Sequence, residues 1–306
     1  MSQPIFINSI AYNIGEVLPL REIADLMNRP ALIERFEALG VTNTSVFSGS
    51  FPELVEPVLK ELIAVECATE GIDAVILTSP TNIANSVEQE CLLSILGGFG
   101  LDRTRFIYIS GNECADLSVA IEYAATLLMT KGAENVLVVA VNDYRRFSAR
   151  YSESLMIVFG DGAAGCLLSS KPGLYRVLGS WHETDWRVSQ QRPDPRDQLN
   201  ALVALAQKVL DRALTKSATD IEHYDAVVCA NMNTYFCRFV AGILNLPIEK
   251  VFAANVGRIG HISDCDHLIN LKSMYKNPAW PLTQGTKVLA VALGSRTVAS
   301  IALETT

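Results

Sequence analysis

The chain has 306 residues, 49% of them apolar and 19% charged, and carries a net charge of -8. A chain of this length and composition can bury a large core, which argues against disorder. The acidic balance, with no long basic run, disfavours binding to a phosphate backbone, so no nucleic-acid partner is expected.

No apolar run reaches the roughly 18 residues of a membrane span, and the opening MSQPIFINSIAYNIGE has no basic segment leading into an apolar core. Neither a membrane anchor nor a secretory leader is expected. The cysteines at 67, 91, 114, 166, 229, 237 and 265 are odd in number, scattered and mostly set in apolar runs. That pattern suits reduced thiols in a cytoplasm. No CxxC pair occurs, and the histidines do not cluster with cysteines at zinc spacings, so no structural metal is expected.

Along the chain, short β-branched runs alternate with helix-length amphipathic segments. The runs are DAVILTS (73–79), RFIYIS (105–110), NVLVVAV (135–141), DAVVCAN (225–231), KVFAANV (250–256) and KVLAVAL (287–293). Apolar strands between helices predict an α/β protein whose sheets are covered on both faces. GIDAVILTSPT resembles HYDAVVCANMNT, and AENVLVVAVN resembles GTKVLAVALG. Asp73 and Asp225 are 152 residues apart, as are Asn135 and Lys287. The repeat predicts a duplicated chain with halves 1–172 and 173–306, meeting at SSKPG. The stretch 181–198, WHETDWRVSQQRPDPRDQ, reads as a surface loop, a cap over a cleft or a plain connection.

The first half places Cys114 after RFIYIS and before a helix expected over 115–131, where helix N–H groups favour a thiolate. From spacing alone Cys114 also reads as a small buried residue at a strand-to-helix junction, the commoner place for a free cysteine. In the second half the strand KVFAANV leads to His261. Pseudo-symmetry between the halves brings both strand ends to the seam, thiol facing imidazole.

The order GNECADLSVAIEYAATLLMTKGAENVLVVAVNDYRR, then IVFGDGAAGCLL (157–168), is similar to the thiolase superfamily and most closely to ketoacyl-ACP synthase III. INSIAYNIGEVLPLREI, GIDAVILTSPT and LNLPIEKVFAANVGRIGH extend the resemblance over nearly the whole chain. It implies a five-layered αβαβα fold of two duplicated α/β halves, with Gly160 and Gly162 in a tight turn beside the site. It also implies Cys114 as an acyl-accepting nucleophile, acyl carrier protein or CoA thioester as donor, and no further cofactor. A dimer is implied too, homodimeric or with a related synthase, with NVLVVAV as the edge strand buried against its twin.

Condensing members of the family pair the cysteine with the histidine of HQAN and the asparagine of GN. Here ANMN (230–233) replaces the first motif, leaving Ala230 at the histidine position and Asn233 as the last asparagine; a shift by one residue puts Asn231 there instead. The second motif has become Gly260-His261, followed by Asp264 and Asp266. Cys114, His261 and Asp266 form a nucleophile–base–orienter set, with Asp264 as the alternative orienter. The set resembles a subgroup from natural-product pathways that transfers acyl groups to a hydroxyl, amine or thiol without extending them. The resemblance further implies an oxyanion hole at the backbone of Cys114 and Gly294, and carrier docking at Arg145, Arg146, Arg150 and Arg238. Two other readings stay open: a condensing enzyme working through His261 alone, and a non-catalytic partner of an active synthase.

Overall fold

The computed structural model describes residues 3–64, 71–80, 86–146, 149–188, 195–217 and 219–306; Cys67 lies outside them. The first half contains β1 (Ile5–Ile14), β2 (Glu16–Pro19), α1 (Pro30–Ala38), β3 (Asn43–Val46), α2 (Phe51–Ile63), β4 (Ala74–Thr78), α3 (Ser86–Gly98), β5 (Arg105–Ile109), α4 (Asp116–Met129), β6 (Asn135–Asn142), β7 (Tyr151–Ser152), β8 (Ile157–Val158) and β9 (Gly162–Ser169). The second contains β10 (Tyr175–Thr184), α5 (Pro195–Ser217), β11 (Ala226–Val228), α6 (Thr234–Leu244), β12 (Val251–Phe252), α7 (Cys265–Tyr275), β13 (Lys287–Leu293) and β14 (Thr297–Thr305).

The main sheet runs β12-β11-β13-β14-β10-β1-β9-β6-β4-β5. It joins two mixed halves, each with its first strand at the seam, where β1 pairs antiparallel with β10 through Ile5–Ile7 and Tyr175–Val177. Counting only the strands of this sheet, each half reads 3-2-4-5-1 from the outer edge inwards. The duplication extends to side chains. Asp73 accepts hydrogen bonds from the backbone N–H of Glu134 and Asn135, and Asp225 accepts one from Lys287. The backbone N–H of each aspartate donates in turn, to the carbonyl of Asn135 and of Lys287.

Period-two alternation explains why the strands are apolar throughout. On β6, Val136 and Val138 face the middle layer with Ile121 of α4 and Leu268 of α7. Leu137 and Val139 face the outer layer with Leu54 and Leu92, on α2 and α3. On β13, Val288 and Ala290 join the middle layer, whereas Leu289 and Val291 meet residues of α5 and α6 such as Val209 and Val240. Helices therefore lie outside each half-sheet and between the two, the αβαβα layering of the thiolase fold.

Three expectations change. NVLVVAV is not an edge: β6 lies between β9 and β4, and the edge of this half is β5. An apolar run does not tell an interior strand from an edge strand, because hydrogen-bond partners decide that. The stretch 181–198 is not one loop. Residues 181–184 belong to β10, with Trp181 buried in the outer core, and 195–198 open α5; residues 189–194 lie outside the described chain. The helix after Cys114 spans Asp116–Met129 rather than 115–131, because Glu113 (φ 57) and Lys131 (φ 54) adopt left-handed backbone on either side of it.

Gly160 shows how the first half grips the second. A Cβ there would stand 2.5 Å from the Ile259 carbonyl oxygen, and its N–H donates to the carbonyl of His261 at 2.9 Å. Gly160→Ala is expected to destabilise the fold by about 1–3 kcal/mol through this overpacking, checked by urea denaturation.

Candidate active site

Cys114 lies in a single 3-10 turn, Glu113–Ala115, that runs into α4. Asp116 closes this turn by accepting hydrogen bonds from Asn112 N (2.9 Å) and Asn112 Nδ2 (3.0 Å). Glu113 braces it from the other side. Its carboxylate accepts from Ser295 N and Ser295 Oγ, both at 2.5 Å, and so joins the turn to the β13–β14 connection. The nucleophile candidate thus sits on a short, doubly tied segment, and Cys114 as a whole is 8% exposed.

His261 comes from the loop before α7. Its N–H donates to Val158 O and its carbonyl accepts from Gly160 N, so the VFGDG segment fixes the backbone on which the ring stands. Cys114 Sγ lies 3.4 Å from His261 Nε2, and His261 Nδ1 lies 2.6 Å from Asp266 Oδ2. The carboxylate on Nδ1 leaves Nε2 facing the sulfur. Asp266 is itself held by Asn231 N (2.7 Å), Asn231 Nδ2 (3.1 Å) and Ile262 N (3.0 Å). The Phe159 ring tilts against the imidazole at 5.9 Å, and Ser263 Oγ stands 3.9 Å from the sulfur.

The electrostatics follow from burial and pairing. Burial pushes the His261 imidazole down, but Cys114 on one nitrogen and Asp266 on the other together raise it to about 10. The ring therefore holds its proton through neutral pH. Burial, opposed by the Asn112 hydrogen bonds, lifts Asp116 to about 6. Burial, opposed by the Thr78 hydroxyl, lifts Asp264 to about 8. Burial also pushes up the phenol of Tyr144, which faces Cys114 and the acids and stacks on Phe159 at 4.2 Å.

The structure gives the other candidates different places. Asp264 points away from His261 and bonds the Thr78 hydroxyl at 2.5 Å, so Asp266 is the acid on the imidazole. Ala230 is buried without a polar side chain. Asn231 supports Asp266, whereas Asn233 caps α6 by accepting from Phe236 N. His267 is buried and bonded to the Val291 carbonyl, His182 pairs with Glu122, and His223 is a surface residue beside Asp220. Cys265 packs into the middle core.

Gly294 does not present an oxyanion donor, because its N–H is committed to Thr297 O at 2.9 Å. The next N–H, of Ser295, is taken by Glu113. Two of the docking arginines are also engaged internally. Arg145 is wrapped around Asp143 and bonded to the Gly49 carbonyl. Arg150 is 10% exposed and paired with the buried Asp161 at 2.8 Å. The side chain of Arg146 lies outside the described structure. Arg238 is exposed on α6. A cavity of about 490 Å³ between α4 and β10 is lined by Glu122, Met129, Arg176 and Trp181 but by none of Cys114, His261 and Asp266.

Glu113 and Asp116 were not singled out from the sequence, and Asn231 was named there only as the alternative to Ala230 at the lost histidine position. Glu113 and Asp116 had a signal, since acids directly before and two places after a candidate nucleophile oppose the thiolate that a helix start favours. Asn231 had only its neighbourhood to Ala230.

Above about pH 6.5 these shifts give stability a pH dependence of one sign. An unfolded aspartate ionises near 3.8, so between there and about 8 folding keeps Asp264 neutral against its tendency, and stability falls as pH rises. The His261 proton contributes fully below about 6.5, and its contribution is lost as pH rises through about 10. Below about pH 6.5 the lowered imidazole of buried His267 opposes this trend; melting temperature is expected to fall from about pH 6.5 to about pH 9, with a shallower lower part in Asp264→Asn and a shallower upper part in His261→Gln. A melting temperature that rises over this range contradicts the assignment.

Comparison with known proteins finds likenesses in sequence and in fold. Residues 110–185 match the family 3-oxoacyl-[acyl-carrier-protein (ACP)] synthase III. The beta-ketoacyl-[acyl-carrier-protein] synthase III of Acholeplasma laidlawii is 24% identical over 208 residues, 63% of this chain and 64% of that protein, so the match spans less than two thirds of its length. The corresponding protein of Aquifex aeolicus is 23% identical over 238 residues, 74% of each chain. Among solved structures, ChlB3, described as an acyltransferase, superposes with a TM-score of 0.81 at 16% identity, covering 99% of this chain and 98% of its own. The Aquifex aeolicus synthase III gives 0.78 at 19% identity (98% and 99%). Cerulenin-bound OleA of Xanthomonas campestris gives 0.80 at 17% identity (99% of each). The chain thus has the fold of these synthase III structures, and its residues 110–185, which hold Cys114, are similar to the synthase III family.

Proposed function

We propose that this protein is an acyltransferase that carries an acyl group on Cys114 from an acyl thioester to a hydroxyl, amine or thiol acceptor. The observation that carries the reading is the buried line Cys114 Sγ, His261, Asp266, at 3.4 and 2.6 Å. Alanine stands at 230, the position that the resemblance gives to the histidine of the condensing members. ChlB3, whose description names an acyltransferase, has the same fold, which fits the non-condensing subgroup of natural-product pathways.

The thiolate attacks the thioester carbonyl, and a bond forms between Cys114 Sγ and the acyl carbon. The donor carbon–sulfur bond breaks, and the departing CoA or carrier thiolate takes the proton from His261 Nε2. With the sulfur acylated, the neutral imidazole accepts the acceptor's proton as that group attacks. The acyl–Cys114 bond then breaks and restores thiolate beside imidazolium. Asp266 keeps the ring in the required tautomer throughout. The Cys114 N–H is the oxyanion donor in this scheme, and no cofactor beyond the thioester is required.

Arg238 is the exposed candidate for docking an acidic carrier protein. The unpaired edge of β5 is the candidate surface for a second copy or a related synthase, since an open strand edge invites pairing.

Intact-protein mass spectrometry with acetyl, butyryl and longer acyl thioesters tests the reading. The expected result is one acyl adduct, absent in Cys114→Ala, discharged by acceptor nucleophiles. No adduct from any donor supports a non-catalytic partner instead, and carbon dioxide release from labelled malonyl donor supports condensation. His261→Ala is expected to slow the transfer step by about 10²–10⁴-fold, roughly 3–5 kcal/mol of barrier, and Asp266→Asn by less than loss of Cys114, measured by single-turnover kinetics. Arg238→Glu is expected to lower kcat/KM with a carrier-bound donor by about tenfold and leave the CoA thioester unaffected.

A further inference from the structure

Attack on a thioester puts negative charge on the acyl oxygen, and fixed donors aimed at that oxygen stabilise it. The Cys114 N–H is one such donor. The β13–β14 connection offers no second one, because the Gly294 N–H is committed to Thr297 O and the Ser295 N–H to Glu113.

Ser263 stands beside the sulfur with a hydroxyl to give. It lies in the loop between His261 and α7, only 3% exposed, and its Oγ is 3.9 Å from Cys114 Sγ. Among the described residues, the sulfur is the one hydrogen-bond contact of this hydroxyl. The contact is long for a bond to the thiolate itself. It suits an oxygen carried beyond the sulfur on the acyl carbon, since oxyanion donors stand about 2.7–3.1 Å from the developing charge. Catalytic hydrogen bonds are often long before substrate arrives and tighten with it.

The loop holds this hydroxyl still. Ile262 N donates to Asp266 Oδ1 at 3.0 Å, and Asp266 N donates to Ser263 O at 3.2 Å. Ser263 is thereby tied to the residue whose carboxylate orients the imidazole. Its backbone is left-handed, with φ 51, a region that glycine enters freely and that a residue with a side chain enters under strain. The strained residue is the one whose hydroxyl meets the reacting atom.

We propose that Ser263 is a catalytic residue, the second oxyanion donor of this site. This inference rests on acyl transfer at Cys114 and names the group that completes it. The hydroxyl donates to the acyl oxygen as the bond from Cys114 Sγ to the acyl carbon forms. It keeps its own proton, and it releases the oxygen when the donor carbon–sulfur bond breaks. The same contact forms again when the acceptor attacks, so both half-reactions depend on it.

Acylation and alkylation of one sulfur separate this role from a structural one. Both need the thiolate, but iodoacetamide loses iodide at a saturated carbon and creates no oxyanion. Ser263→Ala and Ser263→Gly are compared with wild type in single turnovers with acetyl and butyryl thioesters, in discharge by hydroxylamine, and in iodoacetamide labelling mapped to Cys114. Ser263→Gly removes the hydroxyl and relieves the left-handed backbone, which keeps the test open if Ser263→Ala does not fold. Each variant is expected to slow acylation and discharge by about 10²–10³-fold, while alkylation stays within about threefold of wild type. Acylation at the wild-type rate overturns the proposal. Equal losses of acylation and alkylation overturn it too, by making Ser263 a support of the thiolate, and a loss confined to discharge assigns the hydroxyl to the acceptor instead. The buried phenol of Tyr144 also faces Cys114; a selective loss of acylation in Tyr144→Phe and not in the Ser263 variants likewise overturns the proposal. Wild-type Cys114 that alkylates but takes no acyl group from any thioester overturns the acyl-transfer reading, and this inference with it.

Discussion

The Asp266 carboxylate is the point through which the site is assembled. Fully buried, it accepts hydrogen bonds from the His261 ring, from both nitrogens of Asn231 and from the Ile262 backbone. A buried carboxylate needs several donors to stay ionised, and these supply them. They come from the end of β11, from the loop before α7 and from the imidazole itself. The acid that orients the ring therefore also pins two loops of the second half. The short range of hydrogen bonds makes the arrangement all-or-none, because a shift of an ångström in either loop would strand a buried charge.

The layered fold supplies the rest. The middle helices α4 and α7 begin at the seam of the duplicated halves, one preceded by Cys114 and the other by His261. Duplication produced equivalent positions, and different residues now occupy them: sulfur on one side, imidazole and acid on the other. The VFGDG segment (158–162) of the first half locks the His261 backbone through Val158 and Gly160, which couples the halves directly behind the ring. Because the layers are packed on both faces, the reacting groups lie in low-dielectric surroundings, where pairing rather than exposure governs their charge. His261 keeps its proton by pairing, whereas Asp116 and Asp264, lacking cations, drift towards neutrality.

Charge is sorted between inside and rim. Arginines near the site are used to satisfy buried acids, as Arg150 does for Asp161 and Arg145 for Asp143. Glu113 is spent on Ser295, bracing the nucleophile turn against the β13–β14 connection. Arg145 and Arg150 of the sequence cluster are thus tied to acids of the first half, and Arg238 is left exposed on α6. The left-handed backbone at Glu113, a conformation costly for a residue with a side chain, is held by that brace.

The sequence by itself determined the alternation of strands and helices, the duplication at a spacing of 152 residues, and the exchange of chemistry between ANMN and GH. These are legible because apolar periodicity and residue identity are local properties. It also carried the residue types at 114, 261 and 266. Only the tertiary structure decided that Asp266 rather than Asp264 meets the imidazole, that the Gly294 N–H is already used, that β6 is interior, and that Arg145 and Arg150 turn inward. Each of those depends on groups far apart in the chain arriving within hydrogen-bond distance, and on strand neighbours set by packing. No short-range pattern encodes such meetings; they exist once the two halves close on one another.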